Sequence, residues 1–154
     1  MRISKNFHLD ELLRSDLADR YNIDNVPSDD EQLASLVVLT HKILQPTRDK
    51  FGVVTVTSGL RVLELNRLCK SSDRSQHVSG EAVDFKCFST HNLVVAKWVR
   101  DNFEFDQLIL EFYNPPNGGW IHCSYKKSGD NRGDALTFKR VKGELVKEEG
   151  LPDG

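Results

Sequence analysis

The chain has 154 residues, 38% of them hydrophobic, and 21 basic against 23 acidic side chains give a formal net charge of −2. At that length one domain is expected, burying about 68–70% of the surface its unfolded chain would expose, and the near balance of charge excludes the basic footprint of a nucleic-acid-binding protein. Three cysteines, Cys69, Cys87 and Cys123, have no Cys-x-x-Cys spacing, which argues against a disulfide framework or a cysteine-based zinc site and for a reducing compartment.

Residues 1–6 lack the apolar core of a signal segment, and no run approaches 18 apolar residues, so neither export signal nor membrane insertion is expected. Leu9, Leu12 and Leu13 space out a short amphipathic helix over 7–14. Ser15 is placed to cap a second one, and residues 22–30, with Pro27, read as a surface connection. Ser28 followed by Glu31 has capping-box spacing and opens the main helix, whose stripe is Leu33, Leu36, Val37, Thr40, Ile43 and Leu44. Pro46 should kink or end that helix by removing a backbone donor, and Gly52 should stop any further turn. The β-branched run 53–57 is a strand ending at Ser58-Gly59. Arg61 follows, then a helix over 63–68 in which Asn66 orients the neighbouring loop.

The stretch Ser75-Gln76-His77-Val78-Ser79-Gly80-Glu81-Ala82-Val83-Asp84 concentrates the chemistry. Imidazole and carboxylate are ligands zinc accepts. Residues seven apart face opposite sides of a strand and lie about 10.5 Å apart along a helix. Gly80, free to take positive φ, lets the chain reverse so that His77 folds back toward Asp84; residues 75–80 are then a loop and 81–88 a strand. Ser89 or Thr90 can cap the next helix, with Val94, Val95, Trp98 and Val99 on its apolar stripe. Runs 105–113 and 120–125 flank a Pro, Asn and Gly cluster as a hairpin. Pairing Tyr113 with Trp120 sets Phe112 opposite Ile121 and Glu111 opposite His122, with Cβ atoms about 4.5–5.5 Å apart. His77, Asp84 and His122 then supply three ligands, the number a catalytic zinc keeps while leaving a position for water, and Glu111 stands beside that position. Cys87 and Cys123, odd numbers of steps from the ligands, face the core. His8, His41 and His91 share no motif and read as structural or solvent-facing. Residues 135–141 can add an edge strand, and the charged segment 142–154 is expected to fray.

Ser-Gly-Leu-Arg at 58–61, Ser-Gln-His-Val-Ser-Gly-Glu-Ala-Val-Asp at 75–84 and Trp-Ile-His at 120–122 resemble the three signatures of the D-alanyl-D-alanine carboxypeptidase-like zinc peptidases. That family cleaves peptidoglycan stem peptides and shares its fold with the hedgehog signalling domain. Residues 9–52 resemble the lead-in of its small phage and bacterial members, so the likeness covers nearly the whole chain. It implies an α+β fold, helices packed on one central antiparallel β-sheet, as a single zinc peptidase domain over 1–154. It also implies Zn2+ held by His77, Asp84 and His122, and Arg61 gripping a substrate carboxylate or a developing oxyanion.

Ser75 matches a family position that helps hold the substrate peptide; alternatively it only caps its loop. Two departures stand out: residues 70–74 are polar where relatives often carry glycines, and Gly119 occupies the acid position of the acid-x-x-His arrangement of many relatives. The cross-strand pairing makes Glu111 the general base in its place. The expected partner is a peptidoglycan peptide, the expected state a monomer. A chain made in the cytoplasm without a signal segment would reach the wall after phage lysis or as a virion component. Two other readings stay open, a zinc-binding but catalytically silent virion or wall-binding protein and a metal-free interaction domain. The bond cut is open too: D-Ala-D-Ala carboxypeptidase, L-Ala-D-Glu type endopeptidase and cross-bridge endopeptidase share the zinc chemistry.

Overall fold

The computed structural model describes residues 1–153, with helices leading and strands following. Short helices α1 (Leu9–Leu13) and α2 (Asp16–Arg20) come first, the latter capped by the Ser15 hydroxyl, which accepts from the Ala18 N–H. Segment 22–30 is more than a surface connection. Asn25 within it is buried, donating to the carbonyls of Leu13 and Leu60 at 2.7 and 2.9 Å and accepting from the Val62 N–H at 2.9 Å.

Helix α3 (Asp30–Leu39) starts one residue later than the capping-box spacing suggests. Asp29, not Ser28, accepts from the Gln32 N–H, and the Gln32 amide oxygen accepts from the Ser28 N–H at 2.7 Å. A carboxylate at the cap satisfies the orphan donor and also meets the positive end of the helix dipole. Pro46 neither ends nor breaks the helical run. A π-helical turn at Thr40–Leu44 precedes α4 (Gln45–Phe51), which carries Pro46 in its first turn, where a missing donor costs least. The run ends at Gly52, as its glycine suggests.

Strand β1 (Val54–Ser58), helix α5 (Leu63–Leu68), strand β2 (Ala82–Cys87), helix α6 (Asn92–Asn102) and strands β3 (Gln107–Glu111), β4 (Trp120–Ser124), β5 (Asp134–Val141) and β6 (Glu144–Glu149) complete the chain. The six strands form one sheet in the order β1-β2-β4-β3-β5-β6. Every neighbouring pair is antiparallel except β3 and β5, so the sheet is mixed where a wholly antiparallel one is expected from sequence. The reason lies in the return loop after β4. Gly133 and Asp134 donate to the carbonyls of Phe105 and Asp106, which starts β5 beside the start of β3 and sends it in the same direction. The segment from Lys142 does not fray: Lys142 and Gly143 turn the chain at positive φ and Glu144–Glu149 pairs back on β5. Only Gly154 of that tail lies outside the described residues. Helix α6 is capped from a distance, its Asn92 N–H donating to Asn117 Oδ1 at 2.7 Å, while the Ser89 hydroxyl donates to the Phe51 carbonyl. No helix among the described residues is long and apolar enough to cross a membrane.

The two-residue period of the strands divides the sheet into faces of different use. Val83, Phe85, Leu108, Leu110, Ile121 and Cys123 lie in register and belong to the buried core with Leu36, Ile43, Val95 and Val99 from the helices. Each such fully buried aliphatic or aromatic side chain contributes about 1.5–3 kcal/mol. Cys87 and Cys123 sit on this face as expected, and burial pushes the Cys87 thiol up to about 11, where it is inert. Asp84, His122, Ile109 and Leu136 are in register on the other face.

Gly80 has φ +75°, and a Cβ there would meet the Gln32 carbonyl at 2.8 Å; Gly129 has φ +85° with open space around it. Gly129→Ala is therefore expected to cost only the left-handed backbone strain, about 1–2 kcal/mol. Gly80→Ala should cost more, because α3 must also move away from the loop. Urea denaturation of both variants checks the difference; equal losses would show that the contact with α3 is unimportant.

Candidate metal centre

Asp84 lies mid-strand in β2, directly opposite His122 in β4. Directly paired residues share a face with their Cβ atoms close, and His122 Nδ1 is 2.9 Å from Asp84 Oδ1. His77 arrives from the loop, which reverses at Gly80 with positive φ as its glycine suggests. Its backbone is held by the Arg61 N–H, which donates to the His77 carbonyl at 3.0 Å, and by the Ser75 hydroxyl, which accepts from the His77 N–H at 3.3 Å.

The ring of His77 is oriented by a β-bulge. Val56 pairs with Phe85 but Ser58 pairs with Asp84, so one extra residue re-aims the end of β1 beside Asp84. The Gly59 carbonyl then lies 2.7 Å from His77 Nδ1. A carbonyl only accepts, so Nδ1 carries the proton and Nε2 turns a bare lone pair toward Asp84 Oδ1, 3.4 Å away.

Burial drives the His77 imidazole below its ordinary pKa of 6.5, against the pull of Asp84. Burial alone would raise Asp84, but the His122 and His77 rings hold its carboxyl well below the usual range. A neutral imidazole lone pair thus faces an anion, an arrangement that is repulsive unless a cation lies between them. One ligand atom from each of His77, Asp84 and His122 lies within 4.8 Å of the others, and all three residues are buried. Ligand atoms at about 2.0–2.2 Å from a tetrahedral zinc stand about 3.3 Å apart, the scale of the two distances measured here. The Nδ1–H to carbonyl bond of His77 is also the outer contact that orients metal-bound histidines. The three residues fit the ion.

Glu111 reaches the site by a register different from the expected one. Glu111, not Tyr113, pairs with Trp120, and Ile109, not Glu111, stands opposite His122. Phe112 at φ 51° ends β3 early. Gly119 then approaches so closely that a Cβ on it would lie 2.0 Å from the Glu111 carbonyl. A shift of two residues preserves the face, so Glu111 remains on the side of His122 and sits diagonal to it. The same close approach explains why Gly119 carries no acid: the backbone there has no room for a side chain. Burial raises the Glu111 carboxyl, Asp84 raises it further, and His122, the Trp120 indole and Arg61 pull the other way.

Arg61 is at the site as well. Its Nε is buried without a partner, as is Trp120 Nε1, and its charge acts on both His77 and Glu111. Ser75 makes the loop-holding contact already described and also lines a groove shared with His122. Asn66 is buried and donates to the Ser72 carbonyl, holding the 71–74 loop. Two supporting residues have no sequence signal. Asn25 ties α1 to the turn that carries Gly59. Asp106, fully buried, accepts from Gln76 Nε2 at 3.0 Å and from Arg132 at 2.8 Å, fixing the residue before His77. A lone Asn or Asp in a loop shows neither role until its distant partners are known.

The family model described as Peptidase M15 matches residues 5–124, a span that includes Arg61, Ser75, His77, Asp84, Glu111 and His122. The chain belongs to the Peptidase M15 family. The members of this family are zinc-dependent, D-Ala-D-Ala carboxypeptidase-like peptidases, so this M15 chain is a peptidase by family and its His-Asp-His group is suited to the family's metal. No curated protein matches it. Strands β5 and β6 of the M15 chain lie beyond the matched span.

With metal removed by chelation, His77 and Asp84 both have lowered pKa values in the fold, so the unfolded chain takes up protons first as pH falls. Stability is then lost as pH falls below the unfolded imidazole value of 6.5, with His77 as the source; Asp84 adds to the loss only below about pH 4. Urea midpoints of the chelated protein at pH 7.5 and 5.5 measure this. His77→Gln should flatten the dependence, and an unchanged slope would remove His77 as its source.

Proposed function

We propose that this M15 chain hydrolyses peptidoglycan stem peptides as a zinc peptidase, of the D-Ala-D-Ala carboxypeptidase or L-Ala-D-Glu endopeptidase type, and so works at the cell wall. The observation that carries the reading is the bare His77 Nε2 turned toward Asp84 and His122 with the Glu111 carboxyl on the same sheet face. His77, Asp84 and His122 would hold a zinc ion, which would supply Lewis acidity for activating water and polarising the scissile carbonyl. Glu111, its carboxyl raised by burial and by Asp84, takes a proton from the attacking water and returns it to the leaving amine. The unpartnered Arg61 Nε donates to a substrate carboxylate or to the carbonyl oxygen as negative charge develops there. The Trp120 and Phe112 rings, 5.3 Å apart, stand next to Glu111 at the end of the β3–β4 pair.

Gly119 favours a second reading, a metal-binding protein without hydrolysis, because the position from which many relatives present an acid bears no side chain. Digestion of muropeptides, followed by mass analysis and amine detection, separates the two. On the peptidase reading, new termini appear and vanish on chelation. Glu111→Gln keeps metal and fold but lowers turnover about 10²–10⁴-fold. Zinc-loaded protein that releases no amine selects the silent reading, and full turnover in Glu111→Gln takes the base role from Glu111.

A further inference from the structure

A groove of ≈ 600 Å³ lies on the face of the sheet that carries His122 and includes His122 in its lining. Its floor is apolar, formed by Ile109, Leu136 and Phe138 from β3 and β5. Its rim is cationic: Arg74 and Lys126 come from loops, Arg132 from the return loop after β4, and Lys147 from β6. Among the described residues that line it, the only carboxylate is Asp106. Four cations against one anion in a chain of net charge −2 is a strong local segregation of charge.

Asp106 offsets only one of those four charges. It is fully buried beneath the rim and shared between Arg132 at 2.8 Å and Lys126 at 3.5 Å. Arg74 and Lys147 have no carboxylate partner among the described residues. The Lys147 ammonium lies over the Phe138 ring instead, 5.1 Å from its centroid, which fixes it above the groove floor. Register places it there, since Lys147 stands directly opposite Phe138. Arg74 and Lys147, exposed and without a carboxylate partner, thus border the groove from two different segments, the loop before His77 and the last strand. Every cation of the rim except Arg74 lies beyond the span matched by the family model.

We propose that the groove is a substrate subsite selecting acidic peptides, those with a free carboxylate on a residue flanking the cleaved bond, over the same peptides with that carboxylate amidated. This deepens the peptidase reading above and rests on it for the placement of the cleaved bond. The aliphatic part of the residue lies on Ile109, Leu136 and Phe138 while Arg74 and Lys147 meet the charge.

The test uses the zinc-loaded full chain and a matched pair of synthetic stem peptides, glutamate carboxylate free or amidated, with binding read by calorimetry and turnover by amine release. The free acid should bind about ten-fold more tightly, with the advantage shrinking as salt rises and appearing in KM rather than kcat. Lys147→Gln and Arg74→Gln should each reduce the preference several-fold, and Lys147→Glu should abolish or invert it. Both positions are exposed, and urea midpoints verify that the variants fold. Equal binding of the two peptides, or a preference untouched by all three variants, overturns the subsite. Selective binding without turnover of either peptide keeps the subsite and fails the peptidase reading instead.

Discussion

Asp84 Oδ1 lies 2.9 Å from one imidazole nitrogen and 3.4 Å from another, inside a protein that would rather not bury a carboxylate at all. Much of the surrounding structure keeps that juxtaposition in place. The direct pairing of β2 with β4 brings up His122, and the bulge at the end of β1 brings the Gly59 carbonyl to the far nitrogen of His77. Asn25 secures that turn to α1, and Asp106 secures the loop before His77 through Gln76. None of these contacts is costly by itself. Together they hold two acceptors face to face, which is the condition for capturing a divalent cation.

The hairpin shows how strongly strand parity protects function. A two-residue difference in register changes every partner of β3, yet Glu111 stays on the ligand-bearing face because side chains alternate with period two. Gly119 connects this to the loss of the acid-x-x-His acid. The backbone that lets Phe112 and Gly119 close the strand ends leaves no volume for a side chain at 119. An acid diagonal to His122 is instead presented from the neighbouring strand β3 rather than from the loop.

The sheet separates stability from chemistry. The helices cover one face, where the cysteines behave as core thiols, and the other face carries the His77-Asp84-His122 group, Glu111 and the groove. Strands β5 and β6 extend that second face on the side away from β2 and supply the far wall of the groove.

Much of this was legible in the residues alone. The Gly80 reversal, the inward-facing Cys87 and Cys123 and the helical run ending at Gly52 all follow from short-range rules: glycine's positive φ, the alternation of strand faces and the 3.6-residue stripe; His77, Asp84 and His122 stand out as a motif, and the pairing of β2 with β4 makes them a group. What tertiary structure decided were the features whose energies come from partners far along the chain. Asp29 rather than Ser28 caps α3 because Gln32 is already engaged, and a π-turn absorbs Pro46 because core packing holds both halves of the helical run. The parallel course of β5 follows from the clamp of its first residues on Phe105 and Asp106, and segment 142–149 becomes a strand because β5 offers it an open edge. Hydrogen bonds and steric contacts between distant segments leave no periodicity in the sequence, so the chain announces its ligands by pattern but sets their register only when the strands meet.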